Sequence, residues 1–98
     1  MFPIFSGELL EYLLEIDERC REEINTLVKK NRQLEIVLAK AIERVMMNPN
    51  HFKTLRWPLS HLRRVHVFGS FVLVYKILEN EKIVRILRFA HHDEAYRC

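Results

Sequence analysis

The sequence predicts an α+β fold in which an N-terminal edge strand and an antiparallel helix pair pack on an antiparallel β-sheet, in the order β-α-α-β-β-β. Three observations predict it. Apolar residues recur every three or four positions through the first half of the chain, give way to alternating or continuous β-branched and aromatic runs after residue 50, and those later runs are joined by very short connections. The 98 residues suit one domain, 1–98.

The opening MFPIFS is short and apolar, and Pro3 fits an edge strand because proline has no N–H to give an inner ladder. Ser6 supplies an N-cap, and Glu8 and Glu11 place negative charge near the positive end of the helix expected to follow. Leu9, Leu13, Ile16, Cys20, Ile24 and then Leu27 or Val28 share one face of that helix, with Glu11, Glu15, Glu18, Glu22 and Lys29 opposite. Asn31, within KKNRQ, is a residue type that takes left-handed angles at a helix end. A second helix carries Leu34, Val37 or Leu38, Ala41, Ile42 and Val45 on its apolar face. The NPN step at 48–50 stops it, since a residue before proline is driven out of helical angles. LRRVHVF at 62–68, FVLVYKIL at 71–78 and KIVRILRFA at 82–90 read as strands, and GS at 69–70 and ENE at 79–81 are short enough to link them as hairpins. Tyr75 and Trp57 read first as packing residues, although the HFKTLRW segment can also supply cations and an aromatic ring to an uncovered sheet face.

No apolar run approaches the ~20 residues of a membrane span. The N-terminal region turns acidic without the basic start of a secretory signal, so a cytoplasmic location is expected. Cys20 and Cys98 lie far apart with no CxxC spacing, which predicts unpaired thiols and no thiolate metal site. Glycine occurs only at 7 and 69, which excludes Gly-rich phosphate-cradling loops and the nucleotide-dependent enzymes built on them. The net charge of +3 is unevenly spread: residues 1–50 hold seven Lys/Arg against nine Asp/Glu, a balance of −2, while residues 51–98 hold nine against four, a balance of +5, with all five histidines. Such asymmetry predicts one surface that meets a polyanion.

If the helices cover the valine side of the strand LRRVHVF, alternation leaves Arg64 and His66 on the other side. By the same alternation Arg85 and Arg88 point to opposite faces, so at most one joins them. His91, His92 and Tyr96 follow the last strand, where they can form the wall of a site that includes His66. Histidine moves protons near neutral pH, one ring accepting while another donates. RNA carries its own nucleophile in the 2′-hydroxyl, so its cleavage requires only a base, an acid for the leaving 5′-oxygen, and cations for the transition-state charge. Neither a metal nor another cofactor is expected, since an adjacent His pair lacks the spaced ligands of a structural zinc site.

RRVHVFGSFVLVYKI and KIVRILRFAHHDEAY together resemble the RelE/ParE superfamily of type II toxin–antitoxin toxins, most closely the YafQ-type branch. The shared features are a basic residue and histidine on one strand (His66), an apolar strand ending in Tyr75-Lys76, a terminal histidine and aromatic (His92, Tyr96), and a helix ending in an Asn-Pro step. The resemblance implies a RelE-like fold and a ribosome-dependent messenger RNA endonuclease acting by 2′-hydroxyl attack, with His66, His92 and Tyr96 catalytic. It implies RNA contacts from Lys53, Arg56, Arg63, Arg64, Arg88 and His91, and as partners the ribosome, messenger RNA and a small, acidic, helical cognate antitoxin. The chain departs from the pattern at Val72, where many RelE-type toxins have arginine, and at Ser70, near which YafQ-type proteins have an acid. Two other functions fit the same scaffold: a ParE-like inhibitor of DNA gyrase, and an RNA-binding regulatory module in which histidines are dispensable.

Overall fold

Leu62–Val67 (β2), Phe71–Leu78 (β3) and Ile83–His91 (β4) form an antiparallel meander, as the alternation and short turns require. A computed structural model describes residues 11–95 of the chain. Ahead of the meander come Leu13–Ile16 (β1), the helices Glu18–Lys29 (α1) and Arg32–Met47 (α2), and a 3-10 turn at Pro49–His51; a short helix, His92–Ala95 (α3), follows it. The sheet order is β1-β4-β3-β2. The meander is antiparallel throughout, but β1 joins β4 in parallel, which makes the sheet mixed.

The order of elements is the expected one, with the first strand shifted. MFPIFS, Ser6 and Leu9 lie outside the described residues. The strand that opens the described chain is Leu13–Ile16, which the helical stripe had claimed. Leu13 and Ile16 fit a helical step, but LLEI also fits an alternating one: Leu14 and Ile16 pack on the core, and Leu13 is 71% exposed. The unpaired edge of β4 decides between them. Leu13 N–H donates to the Lys82 carbonyl at 2.9 Å, and Asp17 N–H to the Ile86 carbonyl at 2.9 Å. Asp17, not Ser6, then caps α1, its carboxylate accepting from the N–H groups of Arg19 and Cys20 at 3.1 and 3.4 Å. Asn31 is likewise a start signal, not an end: in extended conformation, it caps α2 by accepting from Leu34 N–H at 3.1 Å.

From Cys20 onward the apolar stripes behave as read. Cys20 and Ile24 of α1 and Leu34, Leu38, Ala41, Ile42, Val45 and Met46 of α2 are buried against Val65, Val67, Leu73, Tyr75, Val84, Ile86 and Phe89 of the sheet. Burial of this kind contributes about 1.5–3 kcal/mol for each large aliphatic side chain. Cys20 is a free thiol whose pKa is pushed up to about 12, first by burial and then by the Glu23 and Asp17 carboxylates, which keeps it inert. Cys98 lies outside the described residues. The opposite sheet face is not bare. Val72, Val74 and Ala90 form a smaller apolar cluster against Leu55 and Leu62. Among the described residues no helix is long and apolar enough to cross a membrane.

Tyr75 is fully buried, as its packing role predicts, and its hydroxyl donates to the Pro49 carbonyl. Burial pushes the phenol up to about 12, with the Arg63 guanidinium pulling weakly the other way. The folded chain therefore holds this proton more tightly than the unfolded one, so the contribution is intact below pH 10 and is lost as pH rises from 10 to about 12. Chemical denaturation followed across that range should show stability falling, and Tyr75→Phe should flatten the slope while costing about 1 kcal/mol at neutral pH.

Candidate nucleic-acid interface

Segment 49–59, between α2 and β2, builds the site, and two side chains from the helix-facing side of the sheet hold it. The Tyr75 hydroxyl takes Pro49, and the Arg63 guanidinium donates to the carbonyls of Phe52 at 2.6 Å and Asn50 at 3.3 Å. The chain past this anchor runs along the free edge of β2. Arg64 N–H donates to the Lys53 carbonyl at 3.0 Å and Leu55 N–H to the Leu62 carbonyl at 2.9 Å, with Thr54 bridged to Arg63. Covering the edge this way satisfies backbone groups that would otherwise template another strand. It also carries Lys53, Arg56 and Trp57 to the side of the sheet where Arg64 and His66 project.

His66 is exposed and lines two adjacent hollows. One, of about 1060 Å³, is walled by Glu43, Arg44, Met47, His51, Lys53 and Arg64. The other, of about 580 Å³, is walled by Leu55, Arg56, Trp57, Pro58, Leu59 and Arg64. Arg64 Nη1 lies 2.8 Å from His66 Nε2. A guanidinium can only donate, so Nε2 accepts and the ring is the neutral tautomer with its proton on Nδ1. The paired groups thus present a fixed cation and an imidazole base side by side, with no acidic side chain in the Trp57 hollow to neutralise them. Such a surface attracts an anion and can take a proton from a group held against it.

The sequence-predicted residues divide. Lys53, Arg56, Arg64 and His66 come together around the two hollows. Arg63 turns to the opposite side and serves the 49–52 anchor. Arg88 pairs with Glu23 of α1 at 3.3 Å, and Arg85 pairs with Glu15 of β1. A register shift between Val74 and Tyr75 defeats simple alternation here, setting Arg85 opposite Lys76 and Arg88 opposite Val74. His91 and His92 stand at the same end of the sheet as His66, but two strands away, about 10 Å at ordinary strand spacing. They are fixed there. His91 pairs with Phe71 across β3 and its ring meets the Phe71 ring at 5.8 Å, while His92 N–H donates to the Ser70 carbonyl at 2.9 Å. Tyr96 lies outside the described residues.

Two residues were misjudged from sequence. Trp57, read first as packing and only second as an aromatic ring for the open face, is 85% exposed. His51, not singled out, shares the larger hollow with His66. Its position directly after the helix-stopping NPN step was the available signal, but only the folding of 49–53 onto β2 brings the two rings to one hollow. Among the described residues, His91, His92 and Asp93 offer metal-type donor atoms within 4.8 Å of one another, all three residues exposed. His91 Nδ1 and His92 Nε2 lie 3.7 and 3.3 Å from the Asp93 carboxylate.

Residues 4–96 match the family model described as ParE toxin of type II toxin-antitoxin system, parDE. The chain belongs to this toxin family. An uncharacterised protein of Methanosarcina mazei is 43% identical over 86 residues, 87% of this ParE-family chain and 99% of that protein. Among solved structures, that of the toxin-antitoxin complex RelBE2 from Mycobacterium tuberculosis superposes with a TM-score of 0.69 at 25% identity, covering 84% of this chain and 99% of that one. The isolated E. coli RelE toxin superposes with a TM-score of 0.68 at 22% identity, over 89% and 87% of the two chains, and so shares the fold. The RelE/ParE membership and RelE-like architecture expected from the meander motifs are both borne out.

Replacing Arg63 with Met keeps the aliphatic stem but removes both donors to the 49–52 anchor. Stability should fall by about 1–3 kcal/mol. Native-state hydrogen exchange should speed up at the Leu55 and Arg64 amides while the β3–β4 amides keep their protection. Unchanged exchange at those two positions would show that the edge segment holds without the anchor.

Proposed function

We propose that this toxin cuts messenger RNA on the ribosome by activating the 2′-hydroxyl beside the scissile phosphate, and that the Arg64–His66 pair is the centre of the reaction. The observation that carries the reading is this pair: a guanidinium and a neutral imidazole 2.8 Å apart on the sheet face away from the helices, lining both basic hollows. In the reaction, Arg64 swings to a phosphate oxygen, which releases the His66 Nε2 lone pair. That nitrogen takes the 2′-hydroxyl proton as the oxygen bonds to phosphorus; the bond to the 5′-oxygen breaks, and a second group returns a proton to it. A 2′,3′-cyclic phosphate and a 5′-hydroxyl result. Lys53 and Arg56 balance the added charge of the transition state. No step requires a metal or other cofactor. For the acid, His92 is the choice that the family resemblance implies, with Tyr96 orienting the strand; His51 is the imidazole that shares a hollow with His66.

The RelBE2 structure is of a toxin-antitoxin complex, which supports a cognate antitoxin for this chain as well. A small acidic, helical antitoxin would lie over the basic surface of Lys53, Arg56 and Arg64, where complementary potential speeds and orients docking. The ParE description of the matching family favours one second reading, inhibition of DNA gyrase by binding.

Induced expression with mapping of messenger 5′ ends tests the reading. The parent chain should generate new ends within translated codons, and His66→Ala or Arg64→Ala should lower cleavage by about 100-fold or more while retaining the fold. Comparing His51→Ala with His92→Ala identifies the acid as the variant with the larger defect. Growth arrest that persists in His66→Ala, together with loss of gyrase supercoiling in vitro, would replace cutting with the gyrase reading.

A further inference from the structure

Trp57 is the chain's only tryptophan, and it stands 85% exposed where a ring of its size is ordinarily covered. The turn that carries it is well held. Leu59 N–H donates to the Arg56 carbonyl at 2.8 Å, which closes a four-residue turn with Trp57 and Pro58 at its centre; Leu62 N–H donates to the Leu59 carbonyl at 2.9 Å. Leu55, one residue before the turn, packs on the Val72, Val74 and Ala90 cluster and is hydrogen-bonded to β2. The indole is therefore displayed by a fixed support, not left over from an incomplete core. Its hollow, about 580 Å³, is of the size that receives a small planar ligand. Arg56, Arg64 and His66 line that hollow with no carboxylate among its walls.

We infer that Trp57 is the stacking platform for an unpaired nucleobase of the RNA strand, seated beside the phosphate that Arg64 takes. This rests on the proposed function and deepens it by naming the group that fixes the strand. A flat apolar ring flanked by two guanidinium groups matches the alternation of base and phosphate along a single strand. Stacking of this kind orients the ribose whose 2′-hydroxyl faces His66. It tolerates any base, so Trp57 sets position along the message and not codon choice.

A single tryptophan makes the test direct. A short single-stranded RNA carrying 2′-O-methyl groups binds without being cut, and its titration into the purified toxin should quench Trp57 fluorescence to saturation. Trp57→Phe should bind nearly as tightly as the parent, and Trp57→Ala about 5- to 150-fold more weakly. On programmed ribosomes, a 5-iodouridine in the codon at the cut site should photo-crosslink to Trp57 in the His66→Ala background. Binding that depends on Arg64 but leaves the fluorescence and the Trp57→Ala affinity unchanged, with no crosslink, overturns the inference and leaves the proposed cleavage standing. Fluorescence that responds to an acidic antitoxin peptide and not to RNA, with no crosslink, also overturns it, in favour of a protein-docking role. If neither RNA binding nor messenger cleavage is found, both readings fail together.

Discussion

The anchoring of Pro49 and Phe52 is the constraint on which the rest depends. Tyr75, fully buried between the helices and the sheet, reaches the Pro49 carbonyl, and Arg63 reaches those of Asn50 and Phe52. These contacts turn a chain that has just left α2 back against β2. The Lys53–Leu55 backbone then adds to the sheet edge. Without that addition Lys53, Arg56 and Trp57 would have no fixed relation to His66. The basic surface around His66 is thus positioned from the far side of the sheet, by Tyr75 and Arg63, which do not line its hollows. Strength comes from donors with few alternatives: a buried phenol without a partner loses about 1–3 kcal/mol.

The same economy governs the other edge. β1 covers β4 only as far as Ile86, and beyond that point α1 takes over. Glu23 accepts from Phe89 N–H at 3.4 Å and pairs with Arg88. An arginine that composition assigns to a basic surface is thereby used to fasten a helix to the sheet. The net charge of the second half consequently overstates the charge available to a ligand, because Arg63, Arg85 and Arg88 are engaged within the protein. Lys53, Arg56 and Arg64 are the second-half cations that line the hollows beside His66, a smaller and more directed field than the composition alone describes.

The start of α3 is tied to the sheet by the hairpin turn. Phe68 and Gly69 both take positive φ, 55° and 78°, an arrangement glycine accepts readily and phenylalanine does not. The turn they make presents the Ser70 carbonyl to His92 N–H. His91 and His92 are thus held at the His66 end of the sheet, across the Val72 row from it. His91 lies in register with Phe71 and Val67, the row that packs toward the helices, so the ring that shares a hollow with His66 is His51.

The sequence by itself determined the helix stripes from Cys20 onward, the three meander strands and the exposure of His66, because each follows from a local period. It also held the motifs that identify the family. Tertiary structure decided everything that depends on a distant partner. Leu13–Ile16 became strand because the β4 edge lacked one, and Asp17 and Asn31 became caps once the boundaries moved. Trp57 stands in solvent because the anchored segment turns it outward. Arg63 and Arg64, neighbours with the same side chain, took unlike tasks because successive strand residues face opposite ways, one into the anchor and one onto the site. Periodicity tells which side a residue takes, but what waits there is set by chain folded in from tens of residues away, and no local pattern encodes it.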